Sequence, residues 1–166
     1  MNPPALLDDT QALTRQLAGL LLAKGHMMAT AESCTGGMIA AACTDLAGSS
    51  AWFERGFVTY SNAAKTELLG VPAALIAEHG AVSEPVVRAM AEGALRHSRA
   101  HIAVAVTGVA GPGGGSADKP VGSVWFGWAT AGGVKTQLCH FAGDRHQVRQ
   151  ATVLRALQGL NDMLLA

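Results

Sequence analysis

Residues 102–106, Ile-Ala-Val-Ala-Val, form an unbroken apolar run between His101 and Thr107. A strand with one wet face alternates apolar and polar residues. A run with no polar member has no solvent face, and such strands lie in sheets covered on both sides. The covers must be helices, and the rest of the chain supplies them.

Leu13, Leu17, Leu20 and Leu21 recur at helical spacing. Asp8, Asp9 and Thr10 offer caps and negative charge at that helix's start, and Gly25 stands where a terminating glycine belongs. Met27–Thr30 reads as a short strand, and Met38–Ala42 opens a helix that ends near Asp45. Ala47-Gly48-Ser49-Ser50 is a turn, and Phe53–Tyr60 suits a pleated surface. Ser61-Asn62 can cap a short helix, Ala63–Leu69, closed by Gly70 and followed by Pro72. Ser83 can cap a longer helix with Pro85 in its first turn and Val86, Met90 and Ala94 along its apolar face. After the apolar run come a glycine loop, Gly108–Pro120, and two strands, Val121–Thr130 and Val134–Phe141, joined at Ala131-Gly132-Gly133 as a hairpin. A final helix begins at about Asp144. Helices alternating with strands, closed by a hairpin, predict a three-layer α/β/α domain with a mixed, mostly parallel sheet. At 166 residues, with no linker or repeat, the expectation is one domain over 1–166.

Charge narrows the function classes. Lysine plus arginine and aspartate plus glutamate both number 12, and no basic run occurs. Nucleic acids and membrane surfaces select positive patches, so neither is an expected partner. The three cysteines, Cys34, Cys43 and Cys139, form no CxxC pair, and His97 and His101 are separated by a helix end. Neither a disulfide framework nor a metal site is expected. The Met-Asn-Pro-Pro start has no basic segment before an apolar core, and no apolar run reaches the ~18 residues a membrane span needs. A cytoplasmic protein is the expectation.

Three stretches can carry chemistry. Ala31-Glu32-Ser33-Cys34-Thr35-Gly36-Gly37 joins a strand to a helix. A hydroxyl at such a turn projects at the sheet edge, beside the free N–H groups of the next helix, and the glycines let a ligand approach the backbone. Ser33 is then a candidate nucleophile; the competing reading makes Ser33 or Thr35 a helix cap. Cys34 is a rival nucleophile, because helix N-termini lower thiol pKa values.

Tyr60-Ser61-Asn62-Ala63-Ala64-Lys65 contains the only tyrosine and one of four lysines. An unperturbed lysine is neutral only about once in ~2,500 molecules at pH 7, so Lys65 serves as a base only if burial or a nearby cation such as Arg145 lowers its pKa. Tyr60 could relay the proton or hold the lysine. No histidine falls in any motif, which disfavours a Ser-His-Asp triad.

Thr107–Ser116 holds five glycines in ten residues, including Gly108, Gly111, Gly113 and Gly114. Its N–H groups could surround an anion or a carbonyl oxygen, or it is simply a surface loop. It is not a Walker loop, since Gly114 stands where that motif has lysine. Arg145 and Arg149, four apart at a helix start, share a face and suit a phosphate, though exposed arginines are common.

Taken in order, these motifs with Gly80-Ala81-Val82-Ser83, Pro120-Val121-Gly122 and Gly143-Asp144-Arg145 closely resemble the CinA C-terminal domain family, which includes nicotinamide-nucleotide amidohydrolases. The resemblance runs from about Leu13 to the end. It implies an α/β/α fold and hydrolysis of the carboxamide of nicotinamide mononucleotide to nicotinate mononucleotide and ammonia, in pyridine-nucleotide salvage. It implies Ser33 as nucleophile, Lys65 and Tyr60 as the proton-handling pair, and Thr107 positioning the amide, with no cofactor. The physical assignments added to these are an oxyanion site in the amides after Ser33 (Thr35, Gly36, Gly37) and phosphate binding by Gly108, Gly111, Gly113, Gly114 and Arg145. The expected partner is a small nucleotide, and self-association, a dimer foremost, is the family's tendency. The alternative is a non-catalytic nucleotide-binding or regulatory module, as in the longer competence- and damage-linked CinA proteins.

Overall fold

A computed structural model describes residues 3–166; Met1 and Asn2 of the Met-Asn-Pro-Pro start lie outside the described residues. The order is α1 (Pro3–Lys24), β1 (Met28–Glu32), α2 (Met38–Thr44), a 3-10 turn (Ser49–Ala51), β2 (Phe53–Val58), α3 (Asn62–Leu69), α4 (Ala73–His79), α5 (Glu84–Arg96), β3 (Ile102–Gly108), β4 (Ser123–Thr130), β5 (Gly133–His140) and α6 (Arg145–Leu165). One mixed sheet runs β2-β1-β3-β4-β5. Its first three strands are parallel, and β4 and β5 are antiparallel.

The two faces of the sheet are built differently, and β3 shows why. Ile102, Val104 and Val106 point to the side covered by α1, α2 and α6, where they join Met28, Phe126 and Trp128. Ala103 and Ala105 point the other way. Their register partners are also small: Ala29 and Ala31 on β1, Gly127 and Ala129 on β4. This flat band lets α5 lie close, so close that a Cβ on Gly127 would stand 3.0 Å from the Val87 carbonyl oxygen. Val86, Met90 and Ala94 of α5 are buried against it. The larger side chains of the opposite face fill a deeper layer, as close packing requires. There Trp128 donates its indole N–H to Ala156 O at 3.1 Å. Gly159, in the middle of α6, leaves room for the Trp128 ring, which a Cβ would overlap.

Four local expectations need correction. The first helix starts at Pro3, because proline suits a first helical turn, and Asp8 and Asp9 are exposed residues further along it. A helix, α4, follows Pro72, where Ala73-Ala74-Leu75-Ile76 is too short a run to show a period. Ser83 precedes α5 but bonds Gly80 O rather than an α5 amide. The start of α2 is capped by neither Ser33 nor Thr35 but by the carboxylate of Glu32, an acceptor with two oxygens for the orphan amides.

Candidate active site

The strand ends bring the site together. Ser33 N donates to Val106 O at 3.1 Å, and Thr59 N donates to Glu32 O at 2.9 Å. The sheet ladder thus continues one residue past β1 on both sides. It sets Ser33 beside the end of β3 and Thr59 beside the end of β1. In open parallel sheets this carboxyl edge is where ligands bind. A cleft of about 210 Å³ lies there, lined by Ser33, Tyr60, Lys65, Thr107, Gly108 and Arg145 among others. No aspartate or glutamate is among its lining residues. A larger hollow of about 760 Å³ beside His26 and His101 holds no hydroxyl–amine pair of this kind.

Lys65 is delivered by α3. Ser61 caps that helix, its side chain accepting from Ala64 N at 3.0 Å, and Lys65 follows one turn in. Its side chain runs inward and is only 1% exposed. Nζ meets Thr59 O at 2.8 Å, Tyr60 O at 3.2 Å and Ser33 Oγ at 3.0 Å. Burial holds its pKa below the ordinary 10.5, with the Cys34 thiol a weaker influence in the other direction. Desolvation is therefore the cause, and Arg145 is not. A neutral amine has two N–H groups and one lone pair. Two carbonyls and one hydroxyl match that inventory, with the hydroxyl as donor to the lone pair.

The turn 33–37 is tied from both polarities. Glu32 is fully buried; Oε1 accepts from Thr35 Oγ1 at 2.5 Å and from Ile39 N at 2.8 Å, and Oε2 accepts from Ala40 N at 3.0 Å. From α6, Arg149 Nε donates to Cys34 O at 3.1 Å and Nη2 to Thr35 O at 3.3 Å. Gly36 and Gly37, with φ of +58° and +106°, take the left-handed conformations that let the chain reverse within this frame. Cys34 is nearly buried, and its thiol is pushed up to about 11, mainly by burial. At neutral pH it is a protonated thiol, so the rival nucleophile is not activated.

The other expected residues are distributed as follows. Thr107 Oγ1 donates to Ala81 O at 2.9 Å, tying the end of β3 to the loop before α5. The Tyr60 hydroxyl accepts from Arg145 Nη2 at 3.2 Å, while Arg145 Nη1 donates to Gly111 O at 2.8 Å. Arg145 therefore bridges Tyr60 and the glycine loop, while Arg149, four residues on, reaches the Ser33 turn instead. Gly108 lines the cleft, whereas Thr35, Gly36, Gly37, Gly111, Gly113 and Gly114 are not among its lining residues. Gly113 and Gly114 are exposed on the loop. Sequence reasoning missed the roles of Glu32 and Arg149. A carboxylate ending the otherwise neutral run Met28–Glu32 was the available signal, since a buried charge demands partners. Among the described residues no three His, Cys, Asp or Glu side chains gather where they could share a metal ion, and no helix is long and apolar enough to cross a membrane.

The family model for the CinA C-terminal domain matches residues 10–164. A protein of Escherichia coli (strain K12) named nicotinamide-nucleotide amidohydrolase PncC is 56% identical over 154 residues, which cover 92% of this chain and 93% of that one. Its namesake in Pseudomonas putida is 53% identical over 154 residues, 93% of this chain and 96% of that one. The crystal structure of competence/damage inducible protein CihA from Agrobacterium tumefaciens superposes with a TM-score of 0.92 at 48% identity, covering 95% of this chain and 96% of that chain. A fold, a strand-edge cleft and a near full-length sequence match agree: the chain belongs to the CinA C-terminal domain family.

Proposed function

We propose that this chain is an amidohydrolase that converts nicotinamide mononucleotide to nicotinate mononucleotide and ammonia, serving pyridine-nucleotide salvage in the cytoplasm, with Ser33 as nucleophile and Lys65 as base. The observation that carries the reading is the 3.0 Å contact between a buried, desolvated amine and the Ser33 hydroxyl. The relatives named nicotinamide-nucleotide amidohydrolase supply the substrate.

In this mechanism Ser33 Oγ adds to the carboxamide carbon as its proton passes to Lys65. The carbonyl oxygen becomes an oxyanion, and amides after Ser33 hold it. Collapse breaks the C–N bond. Lys65 returns the proton to the leaving nitrogen, which departs as ammonia and leaves a nicotinoyl ester on Ser33. Water, deprotonated by the same lysine, cleaves the ester and regenerates both groups. Tyr60 contributes by holding the base through its main-chain oxygen. Thr107 retains lone pairs that can accept from the substrate amide. Arg145 has N–H groups beyond its two protein contacts, enough to meet a phosphate alongside the glycine loop.

The test is to incubate the purified protein with nicotinamide mononucleotide and measure ammonia, with Ser33→Ala in parallel. Release by the intact chain alone is expected. Binding without release by the intact chain would instead favour a nucleotide-binding module, and full release by Ser33→Ala would reject the nucleophile.

A further inference from the structure

Three arginines of this fold, Arg55, Arg88 and Arg155, each meet a carboxylate, on Glu54, Glu84 and Asp162. Arg145 is in no salt bridge among the described residues. Its two partners are neutral oxygens: Nη1 donates to Gly111 O at 2.8 Å and Nη2 to the Tyr60 hydroxyl at 3.2 Å. Anchors on two different nitrogens fix the plane of the guanidinium, and neither cancels its charge. A cation held in this way beside a cleft without acidic lining is prepared for an anion.

Both ends of the Tyr60–Arg145 contact are rooted in ordered structure. Arg145 is the first residue of α6, behind a capping box in which the Asp144 carboxylate accepts from Gln147 N and Gln147 Oε1 accepts from Asp144 N. Tyr60 stands between β2 and the Ser61 cap of α3. Its main chain and its side chain serve different partners. The main-chain oxygen accepts from Lys65 Nζ at 3.2 Å and so helps to hold the base. The hydroxyl meets Arg145, and the residue is 62% exposed. The Lys65 amine meets two carbonyls and the Ser33 hydroxyl, which together occupy every hydrogen-bonding position of its neutral form. No position on Nζ is left for a phenol.

We infer that the Tyr60 hydroxyl is a positioning group for recognition of the substrate's phosphate: it holds the Arg145 guanidinium, with its charge uncancelled, beside the cleft and takes no part in moving the Ser33 proton. This rests on the amidohydrolase reading and deepens it by dividing the roles of Tyr60 between its two oxygens. A phenol that relayed the proton would act on kcat. A phenol that aims a phosphate ligand acts on KM, and only for substrates that carry the phosphate.

The experiment measures ammonia release from nicotinamide mononucleotide by the wild type, Tyr60→Phe, Arg145→Met and the double variant. Binding of the mononucleotide and of nicotinamide riboside, the same molecule without its phosphate, is measured with each of these changes in the Ser33→Ala background. Phenylalanine keeps the ring and the main-chain oxygen at an exposed position and removes only the acceptor. Tyr60→Phe is expected to raise KM and Kd for the mononucleotide by roughly 3- to 10-fold, the cost of immobilising one long side chain at binding, with kcat within ~3-fold of the reference. Riboside binding is expected to stay unchanged, and Tyr60→Phe is expected to add nothing once Arg145 is methionine. A fall in kcat with KM intact would overturn the inference in favour of a proton relay. Unchanged KM, an equal loss of affinity for the riboside, or a further loss in the Arg145→Met background would each overturn it as well. Absence of turnover in the wild type would strike the amidohydrolase reading itself, and the inference with it.

Discussion

Lys65 Nζ and Ser33 Oγ stand 3.0 Å apart, and the amine's two other contacts are main-chain carbonyls with no proton to exchange. In the proposed mechanism the pair therefore works in one direction at a time. With a protonated amine the hydroxyl is an acceptor and inert; with a neutral amine it is a donor and can be activated.

The rate should follow that switch. Because burial lowers the Lys65 pKa, ammonia release should rise with pH along a single ionisation whose midpoint lies below 10.5. Lys65→Met should lose about 10²–10⁴-fold in rate and the rising limb with it. A pH–rate profile of both proteins checks this; a midpoint at or above the ordinary lysine value would contradict burial as the controlling factor.

Stability should respond to the same shift. Between the lowered folded pKa and 10.5 the unfolded chain binds a proton at Lys65 that the folded chain does not. Stability from this group therefore rises with pH through that window, by up to about 1.4 kcal/mol per pH unit. Below the window the burial cost of the charge is fully present. Urea unfolding at several pH values should show the wild type gaining on Lys65→Met as pH increases.

Cys34 should be chemically quiet despite its place beside Ser33. Its thiol, pushed up to about 11 by burial, is protonated at neutral pH. Iodoacetamide at pH 7.5 should leave Cys34 unmodified in the folded protein, and Cys34→Ala should retain ammonia release. Mass spectrometry of labelled peptides and a rate assay are sufficient.

Arg145→Ala should act on affinity. The guanidinium lines the cleft and already joins Tyr60 to the glycine loop. Losing a charge-assisted contact of about 1.5–3 kcal/mol should raise KM for nicotinamide mononucleotide by roughly 10- to 150-fold with kcat little changed.

Two glycine replacements in helices should have opposite signs. At exposed Gly19 in α1 a Cβ meets nothing within 4 Å, so Gly19→Ala should stabilise by about 0.5–1 kcal/mol through helix propensity. At Gly159 a Cβ would overlap the Trp128 ring, which is 1% exposed and bonded to Ala156 O. Overpacking of about 1–3 kcal/mol should outweigh the same propensity gain. Thermal unfolding of the two variants decides.

What could be read from the chain was what local rules control. The apolar run 102–106 located the central strand, and the hairpin glycines located the antiparallel edge. Ser33, Lys65 and Tyr60 stood out because their residue types are scarce or oddly placed. The partners of Glu32 and Arg149 were not legible, because one depends on where α2 turns back and the other on a helix more than a hundred residues later. The competing reading of Ser33 or Thr35 as a helix cap failed for the same reason. A buried carboxylate one residue upstream of Ser33 offered the amides a stronger acceptor than either hydroxyl.

The lining of the cleft contains lysine and arginine but neither kind of acidic residue. If an ammonia molecule released at Ser33 picks up a proton there, no fixed anion detains it, and Arg145 repels it outward. In the proposed reaction the smaller product therefore leaves a cleft whose lining offers no fixed opposite charge to hold it.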